Sequence, residues 1–238
     1  MKNLENLNIK IFADGADKSG MLEMYSKSYI KGLTTNPTLM RKANILDYKV
    51  FCKDILKSIN DKPISFEVFS DDFSEMERQA LEIASWGENV YVKIPITNTK
   101  QEGCFKLLEK LGRNDVKLNI TAIMTIEQIK QTIDVLNPNV PSYISVFAGR
   151  IADTGRDPIP IMSEAIEILK KNSKSELIWA SPREILNIFQ AEDIGCHIIT
   201  VTNDILKKLN LLNYDLKTYS LDTVKMFYND AINAGYKL

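Results

Sequence analysis

Residues that build disulfide frameworks and metal centres are scarce in this 238-residue sequence, which contains three cysteines and one histidine. Cys52, Cys104 and Cys196 are odd in number and far apart, which is typical of reduced thiols and argues against a disulfide framework. None has the short spacing of a metal-binding motif. We therefore expect no metal site and no cofactor.

Charge of one sign and long apolar runs are also absent. Thirty basic residues oppose thirty-one acidic ones, without runs of like charge, which removes the electrostatic basis for binding nucleic acid or a membrane surface. No segment approaches the ~18 consecutive apolar residues of a transmembrane helix, and residues 1–6 do not resemble a signal peptide. We expect a cytoplasmic protein, and a small charged ligand is compatible with this composition.

The sequence does contain short apolar runs that alternate with amphipathic segments. The runs, each short enough for one buried strand, are 9–13, 29–33, 63–68, 90–95, 117–121, 142–148, 176–180 and 197–200. The segments with helical periodicity are 18–27, 45–59, 73–86, 99–111, 126–136, 158–171, 182–190 and 203–209.

Eight alternating units predict a closed barrel of parallel strands. Continuously apolar strands indicate a sheet that is covered on both faces, and about 240 residues suit an eight-stranded (β/α)8 TIM barrel better than an open doubly wound sheet. No low-complexity linker divides the chain, so we predict one α/β domain over residues 1–238. A ninth amphipathic segment predicts a helical extension over residues 220–238.

Lys93 stands out because it interrupts the apolar run 90–95. Burial disfavours the ammonium form of lysine, and a neutral amine can attack a carbonyl to form a Schiff base. Alternatively, Lys93 pairs with a core carboxylate or extends to solvent at the strand end. Because side chains alternate along a strand, Tyr91 and Lys93 share one face. Glu67 lies on the neighbouring predicted strand, where it is either a proton shuttle or an ion-pair partner of Lys93.

Polar side chains also occur at the carboxyl ends of most predicted strands, where barrel enzymes place their active sites. Each has a structural alternative: Asp14 could cap the following helix, and Asn36 with Pro37 could form a turn. The polar residues concerned, in strand order, are Asp14, Asn36, Glu67, Lys93, Asn119, Thr121, Ser145, Arg150, Ser181 and Arg183.

Several motifs in order resemble the transaldolase family, in particular its short-chain members. They are GLTTNPTL at 32–39, VKIP at 92–95, LNITAI at 118–123, ISVFAGRIADTG at 144–155 and ASPR at 180–183. The resemblance implies a class I aldolase on a (β/α)8 barrel. Such an enzyme transfers a dihydroxyacetone unit from a ketose phosphate to an aldose phosphate, in carbohydrate metabolism and the pentose phosphate pathway.

The resemblance also implies a role for each candidate residue. Lys93 would form the Schiff base, Asp14 would act as acid or base, and Glu67 with Thr121 would hold the catalytic water. Three residues would orient the dihydroxyacetone unit, namely Asn36, Asn119 and Ser145. Three would bind the substrate phosphate, namely Arg150, Ser181 and Arg183.

Three alternatives remain open at this point. The family includes fructose-6-phosphate aldolases, which usually have glutamine where this chain has Glu67, so glutamate favours transfer over simple aldol cleavage or a specialised sugar-forming step. A catalytically silent barrel is the third possibility. Pro182 and the lack of proline near Thr202 depart from the family pattern, and His197 is expected to be structural. The resemblance also implies a homo-oligomer, with a decamer as the first expectation, in which the C-terminal helix packs on a neighbouring subunit. Alternatively, this helix folds back on its own barrel.

Overall fold

The computed structural model describes residues 4–238, without the side chain of Glu5. Eight parallel strands pair in sequence order, and the last strand pairs with the first, which closes the barrel. The strands are β1 Lys10–Asp14, β2 Ile30–Thr34, β3 Ile64–Glu67, β4 Val90–Pro95, β5 Leu118–Ile123, β6 Ser142–Val146, β7 Ser175–Trp179 and β8 Ile198–Thr202. The predicted (β/α)8 barrel is confirmed.

Helices follow the strands, and all but the last of them have buried residues. They are α1 Lys18–Tyr25, α2 Pro37–Lys42, α3 Tyr48–Ser58, α4 Phe73–Ala84, α5 Phe105–Arg113, α6 Ile126–Val135, α7 Ala148–Asp153, α8 Ile159–Leu169, α9 Leu186–Asp193, α10 Asn203–Leu206 and α11 Leu216–Asn233. Short 3-10 helices occupy Leu4–Asn6 and Lys207–Leu211. The sequence did not predict α2 and α7, which are only six residues long and therefore too short to show a repeating amphipathic pattern.

An apolar layer fills the amino-terminal part of the barrel interior. Phe12, Tyr143, Ile178 and Ile198 are buried there, and the Tyr91 ring stacks on Tyr143 with centroids 4.0 Å apart. Because side chains on one face of a strand recur every two residues, the next inward residue on each strand lies one layer closer to the carboxyl ends. The polar residues that follow Phe12, Tyr91, Tyr143 and Ile198 by two positions are Asp14, Lys93, Ser145 and Thr200, in that order.

Gly32 makes room for this apolar layer. A Cβ atom on Gly32 would lie 2.5 Å from Cζ of Phe12, a distance that real Cβ atoms do not adopt. Glycine on β2 therefore lets the Phe12 ring fill the barrel axis, and the polar layer begins above it.

The extension predicted over 220–238 is a helix, but α11 begins at Leu216 and ends at Asn233. Asp215 caps it by accepting a hydrogen bond from the Thr218 amide at 2.9 Å. None of its residues is buried within this chain. Among the described helices, none has the length and apolar character to cross a membrane. The assignment of residues 1–238 to a single domain stays a prediction.

Candidate active site

A cavity of about 470 Å³ opens at the carboxyl ends of the strands. Nine of the ten residues predicted from the sequence line it, namely Asp14, Asn36, Glu67, Lys93, Asn119, Thr121, Ser145, Arg150 and Ser181. The tenth, Arg183, lines an adjoining cavity that shares Asp14 and Ser181 with the first. The barrel therefore brings side chains from widely separated stretches of sequence to one opening.

The Lys93 amine lies inside this cavity, and the side chain is 9% exposed. Its Nζ atom is 3.3 Å from Glu67 Oε2 and donates to the Thr35 carbonyl oxygen, also at 3.3 Å. Glu67 and Lys93 are register partners on β3 and β4, which explains their proximity. The ion pair considered from the sequence is thus present, and it lies within the cavity, where a ligand can reach both groups.

Two carboxyl groups face the same amine. Removal from bulk water raises the pKa of Glu67, and Lys93 partly opposes this effect. Desolvation likewise raises the pKa of Asp14, against the attraction of Lys93 and a hydrogen bond of 2.8 Å from the Thr34 hydroxyl. A raised carboxyl pKa favours the protonated form, which suits groups that exchange protons with a substrate.

Asp14 does not cap α1, which was the structural alternative for this residue. The cap is Asp17, whose carboxylate accepts from the Gly20 amide at 2.7 Å. Asn36 does act as a cap, since its Oδ1 accepts from the Leu39 amide at 3.0 Å at the start of α2. Asn36 therefore caps a helix and also lines the cavity, whereas Asp14 lines the cavity without capping a helix.

A buried hydrogen-bond chain orders the side chains on β3, β5 and β6. Asn119 Nδ2 donates to Ser65 Oγ at 3.0 Å, and Ser145 Oγ donates to Asn119 Oδ1 at 2.7 Å. This chain fixes the orientation of the Asn119 amide beside Lys93, its register partner on β4. The buried Thr121 hydroxyl has no hydrogen-bond partner among the described residues, so its donor and acceptor are available to a ligand or to water.

The two arginines differ in their surroundings. Arg150, on α7, places its guanidinium 5.7 Å from the centre of the Phe147 ring. Arg183 donates to Asp153 through Nε at 2.9 Å and through Nη2, and to the Ser181 carbonyl at 2.9 Å. Arg183 thus shares its charge with a carboxylate, whereas Arg150 lies against a neutral ring and reaches the cavity.

Close packing forms the wall between these arginines. A Cβ atom on Gly149 would lie 1.6 Å from the Ser181 carbonyl oxygen, so only glycine fits there. Ser181 has φ 58°, which is uncommon for a residue other than glycine. The Gly149–Ser181 contact therefore holds α7 against the loop after β7 and sets the position of both arginines.

Several residues that contribute to the site have no role predicted from the sequence. Thr200 and Lys42 line the cavity, Thr34 binds Asp14, and Ser65 binds Asn119. Thr34 and Thr200 are also hydrogen-bonded to each other through their hydroxyls. Alternation along β8 and β2 could have indicated the two threonines, because both follow inward residues by two positions.

His197 lies outside the site. Its Nδ1 accepts from the Leu177 amide at 3.1 Å, and burial lowers its pKa. The three cysteines are free and buried. Among the described side chains, which are those of residues 4–238 without Glu5, no group of three or more histidine, cysteine, aspartate or glutamate residues is arranged to hold a metal ion.

Comparison with known proteins agrees with this geometry. Residues 11–237 match the family described as Transaldolase/Fructose-6-phosphate aldolase. A probable transaldolase of Thermoanaerobacter sp. (strain X514) is 33% identical over 231 residues, covering 97% of this chain and 100% of that protein. A probable transaldolase of Dehalococcoides mccartyi is 32% identical over 202 residues, covering 84% of this chain and 90% of that protein. These matches confirm the resemblance found in the sequence, and the chain belongs to the transaldolase/fructose-6-phosphate aldolase family.

Proposed function

We propose that this protein is a transaldolase that transfers a dihydroxyacetone unit from a ketose phosphate to an aldose phosphate through a Schiff base on Lys93. The observation that carries the proposal is the Lys93 amine, which lies inside the strand-end cavity 3.3 Å from the Glu67 carboxyl. The family and the relatives named probable transaldolases support the same activity.

The first step joins the substrate to the chain. The neutral Lys93 amine attacks the ketose carbonyl and gives a carbinolamine, which loses water to form the imine. Glu67 is close enough to Lys93 to protonate the departing hydroxyl, directly or through water, and its raised pKa favours the protonated form that this step requires. The Thr121 hydroxyl is available to orient that water.

The second step breaks and reforms a carbon–carbon bond. Asp14 takes the proton of the C4 hydroxyl while the C3–C4 bond breaks, and the electron pair of that bond moves into the protonated imine to give an enamine. The aldose leaves, an acceptor aldehyde enters, and the enamine C3 attacks its carbonyl carbon as Asp14 returns the proton. Water then hydrolyses the new imine and frees Lys93.

The remaining residues bind and orient the substrate. Asn36, Asn119 and Ser145 present amide and hydroxyl groups toward the dihydroxyacetone unit, and the Ser65–Asn119–Ser145 chain fixes one of the amides. Arg150, Ser181 and Arg183 bind the phosphate, for which guanidinium groups offer paired donors. No step in this scheme requires a metal or a cofactor.

Borohydride trapping tests the proposal. Reduction in the presence of a ketose phosphate should attach a stable dihydroxyacetone-derived adduct to Lys93, which peptide mass spectrometry locates. Lys93→Ala and Lys93→Arg should fold, lose activity and form no adduct, because neither side chain forms the imine at neutral pH. Lys10→Ala is the control, since Lys10 lies outside the cavity and pairs with Glu176 at 2.7 Å. An adduct at another lysine would overturn the assignment.

A second assay separates transfer from simple cleavage. Turnover that depends on an added acceptor aldehyde is expected for a transaldolase. Release of free dihydroxyacetone without an acceptor would instead indicate a fructose-6-phosphate aldolase or a specialised aldolase. We also propose a cytoplasmic enzyme of carbohydrate metabolism, with the pentose phosphate pathway as its setting and a homo-oligomeric assembly.

A further inference from the structure

The hydrogen-bond ladder between β2 and β3 stops beside the candidate proton shuttle. The Leu33 amide donates to the Pro63 carbonyl at 2.9 Å, and the Thr35 amide donates to the Ser65 carbonyl at 3.3 Å. In a parallel ladder the next bond would run from the Glu67 amide to the Thr35 carbonyl. The bond after that would run from residue 37 to the Glu67 carbonyl, but residue 37 is proline and has no amide hydrogen.

The side-chain hydroxyl of Tyr48, which lies outside the barrel, forms hydrogen bonds with both backbone groups of Glu67. The Glu67 amide donates to the Tyr48 hydroxyl at 2.8 Å, and the same hydroxyl donates to the Glu67 carbonyl at 2.7 Å. A tyrosine hydroxyl can donate and accept at once, so it replaces both missing partners. The Thr35 carbonyl is thereby left to accept from Lys93 Nζ at 3.3 Å.

The surroundings of Tyr48 hold this hydroxyl in place. Tyr48 is the first residue of α3, whose cap Asp47 accepts from the Val50 amide at 2.9 Å. Its ring packs edge-on against Phe69 with centroids 5.2 Å apart, and its centroid lies 6.4 Å from that of Trp86. Desolvation raises the pKa of Tyr48, so the hydroxyl keeps its proton and remains a donor.

We propose that Tyr48 is a positioning residue for Glu67. Its hydroxyl replaces the two backbone hydrogen bonds that β3 lacks where β2 departs, and it thereby holds the Glu67 carboxyl beside Lys93. The Thr35 carbonyl accepts a hydrogen bond from the lysine instead of from the Glu67 amide. This inference rests on the proposed function, because it assigns Tyr48 a role in the step that Glu67 performs. Tyr48 does not line the strand-end cavity, and its hydroxyl contacts Glu67 through the backbone of that residue.

Kinetics of Tyr48→Phe test the proposal. Loss of the hydroxyl should lower kcat by about 10- to 100-fold, the scale expected when a reacting group is misplaced, and leave KM nearly unchanged. In a Glu67→Gln background the same substitution should have little further effect, because residues that act through one another are not additive. Tyr25→Phe is the control, since the Tyr25 hydroxyl binds Asp61 at the surface.

The outcomes separate this inference from the proposed function. If wild-type protein forms no borohydride adduct at Lys93, the proposed function fails. If the adduct forms but Tyr48→Phe keeps wild-type kcat, or loses kcat equally in both backgrounds, the positioning role is overturned. Amide exchange in the wild-type protein provides a measurement that needs no variant: the Glu67 amide should exchange slowly, and rapid exchange would contradict the hydrogen bond to Tyr48.

Discussion

The environment of the Asp14 carboxyl connects the stability of the protein with the proposed chemistry. Burial of a carboxyl without full compensation raises its pKa and makes ionisation unfavourable for the folded state. The structure nevertheless keeps Asp14 and Glu67 together in one cavity with Lys93. Burial of the Asp14 carboxyl in this proposed site is therefore expected to oppose folding at neutral pH.

Asp14→Asn should stabilise the protein near neutral pH and have little effect near pH 4. Because the folded-state pKa of Asp14 is raised, ionisation costs more in the folded than in the unfolded chain. Stability therefore falls as pH rises from the unfolded pKa, about 3.9, through the folded pKa, and asparagine removes this loss. The measurement is the free energy of unfolding in urea between pH 4 and pH 8.

Asp17→Asn serves as the control, because the pKa of Asp17 is shifted in the direction opposite to that of Asp14. Hydrogen bonds from Ser19 and Gly20 lower the pKa of Asp17, so this carboxylate contributes stability above its unfolded pKa and loses it as the pH falls through the folded pKa. Its replacement should not stabilise the protein at neutral pH. A neutral-pH gain of the same size in both variants would contradict the role assigned to Asp14 burial.

At the scale of elements, the proposed phosphate site is formed where α7 meets the loop after β7. Gly149 and Ser181 touch, Arg150 projects from the helix, and Arg183 is held by Asp153 across the same contact. The position after strands six and seven lies close to the place where phosphate sites commonly occur in barrels. We therefore expect the two elements to act as one unit in substrate binding.

Arg150→Ala and Arg183→Ala should mainly weaken binding of phosphorylated substrates. A charge-assisted hydrogen bond contributes about 1.5 to 3 kcal/mol, which corresponds to about one to two decades in KM for phosphorylated ketoses. Unphosphorylated ketoses should change little. The matched control is Arg156→Ala, because Arg156 is exposed and its guanidinium binds Thr154. An equal loss with phosphorylated and unphosphorylated substrates would show that these arginines support the fold and do not bind phosphate.

At the scale of the whole molecule, α11 presents an uncovered apolar face. The side chains that form it are exposed within this chain, namely Leu221, Val224, Phe227, Tyr228 and Ile232. The alternative that the helix folds back on its own barrel is not what the structure shows, since α11 has no buried residue. A contiguous apolar stripe of this kind commonly marks a protein interface.

Phe227→Asp should weaken assembly, and deletion of residues 216–238 should abolish it. A charge within the apolar face has to be desolvated when that face is covered. Sedimentation velocity should give the wild-type protein a mass of several chains and the variants a smaller mass. Asn229→Asp is the matched control, because residue 229 is polar and lies outside that face of the helix. A monomeric wild-type protein would overturn the assembly proposal.

Patterns local to the chain were sufficient to predict the barrel and most of the lining of its cavity. Alternation with period two placed Lys93 on the Tyr91 face, and polar residues at strand ends were expected to meet because parallel strands end on one side of a barrel. The structure agrees with that arrangement for residues as far apart as Asp14 and Ser181. The period of two along a strand depends only on neighbouring residues, so the sequence alone predicts which side chains share a face.

Tertiary structure alone decided the contacts that link distant segments. Nothing local to Tyr48 indicates that its hydroxyl replaces two ladder bonds of Glu67, because the need arises only where β2 turns away at Pro37. The pairing of Arg183 with Asp153 likewise depends on backbone directions set by the closed sheet. The cap of α1 by Asp17 is by contrast a local contact, since Asp17 binds the amide three residues along the chain. The sequence by itself thus determined which side chains face inward, whereas barrel closure and register decided which of them touch.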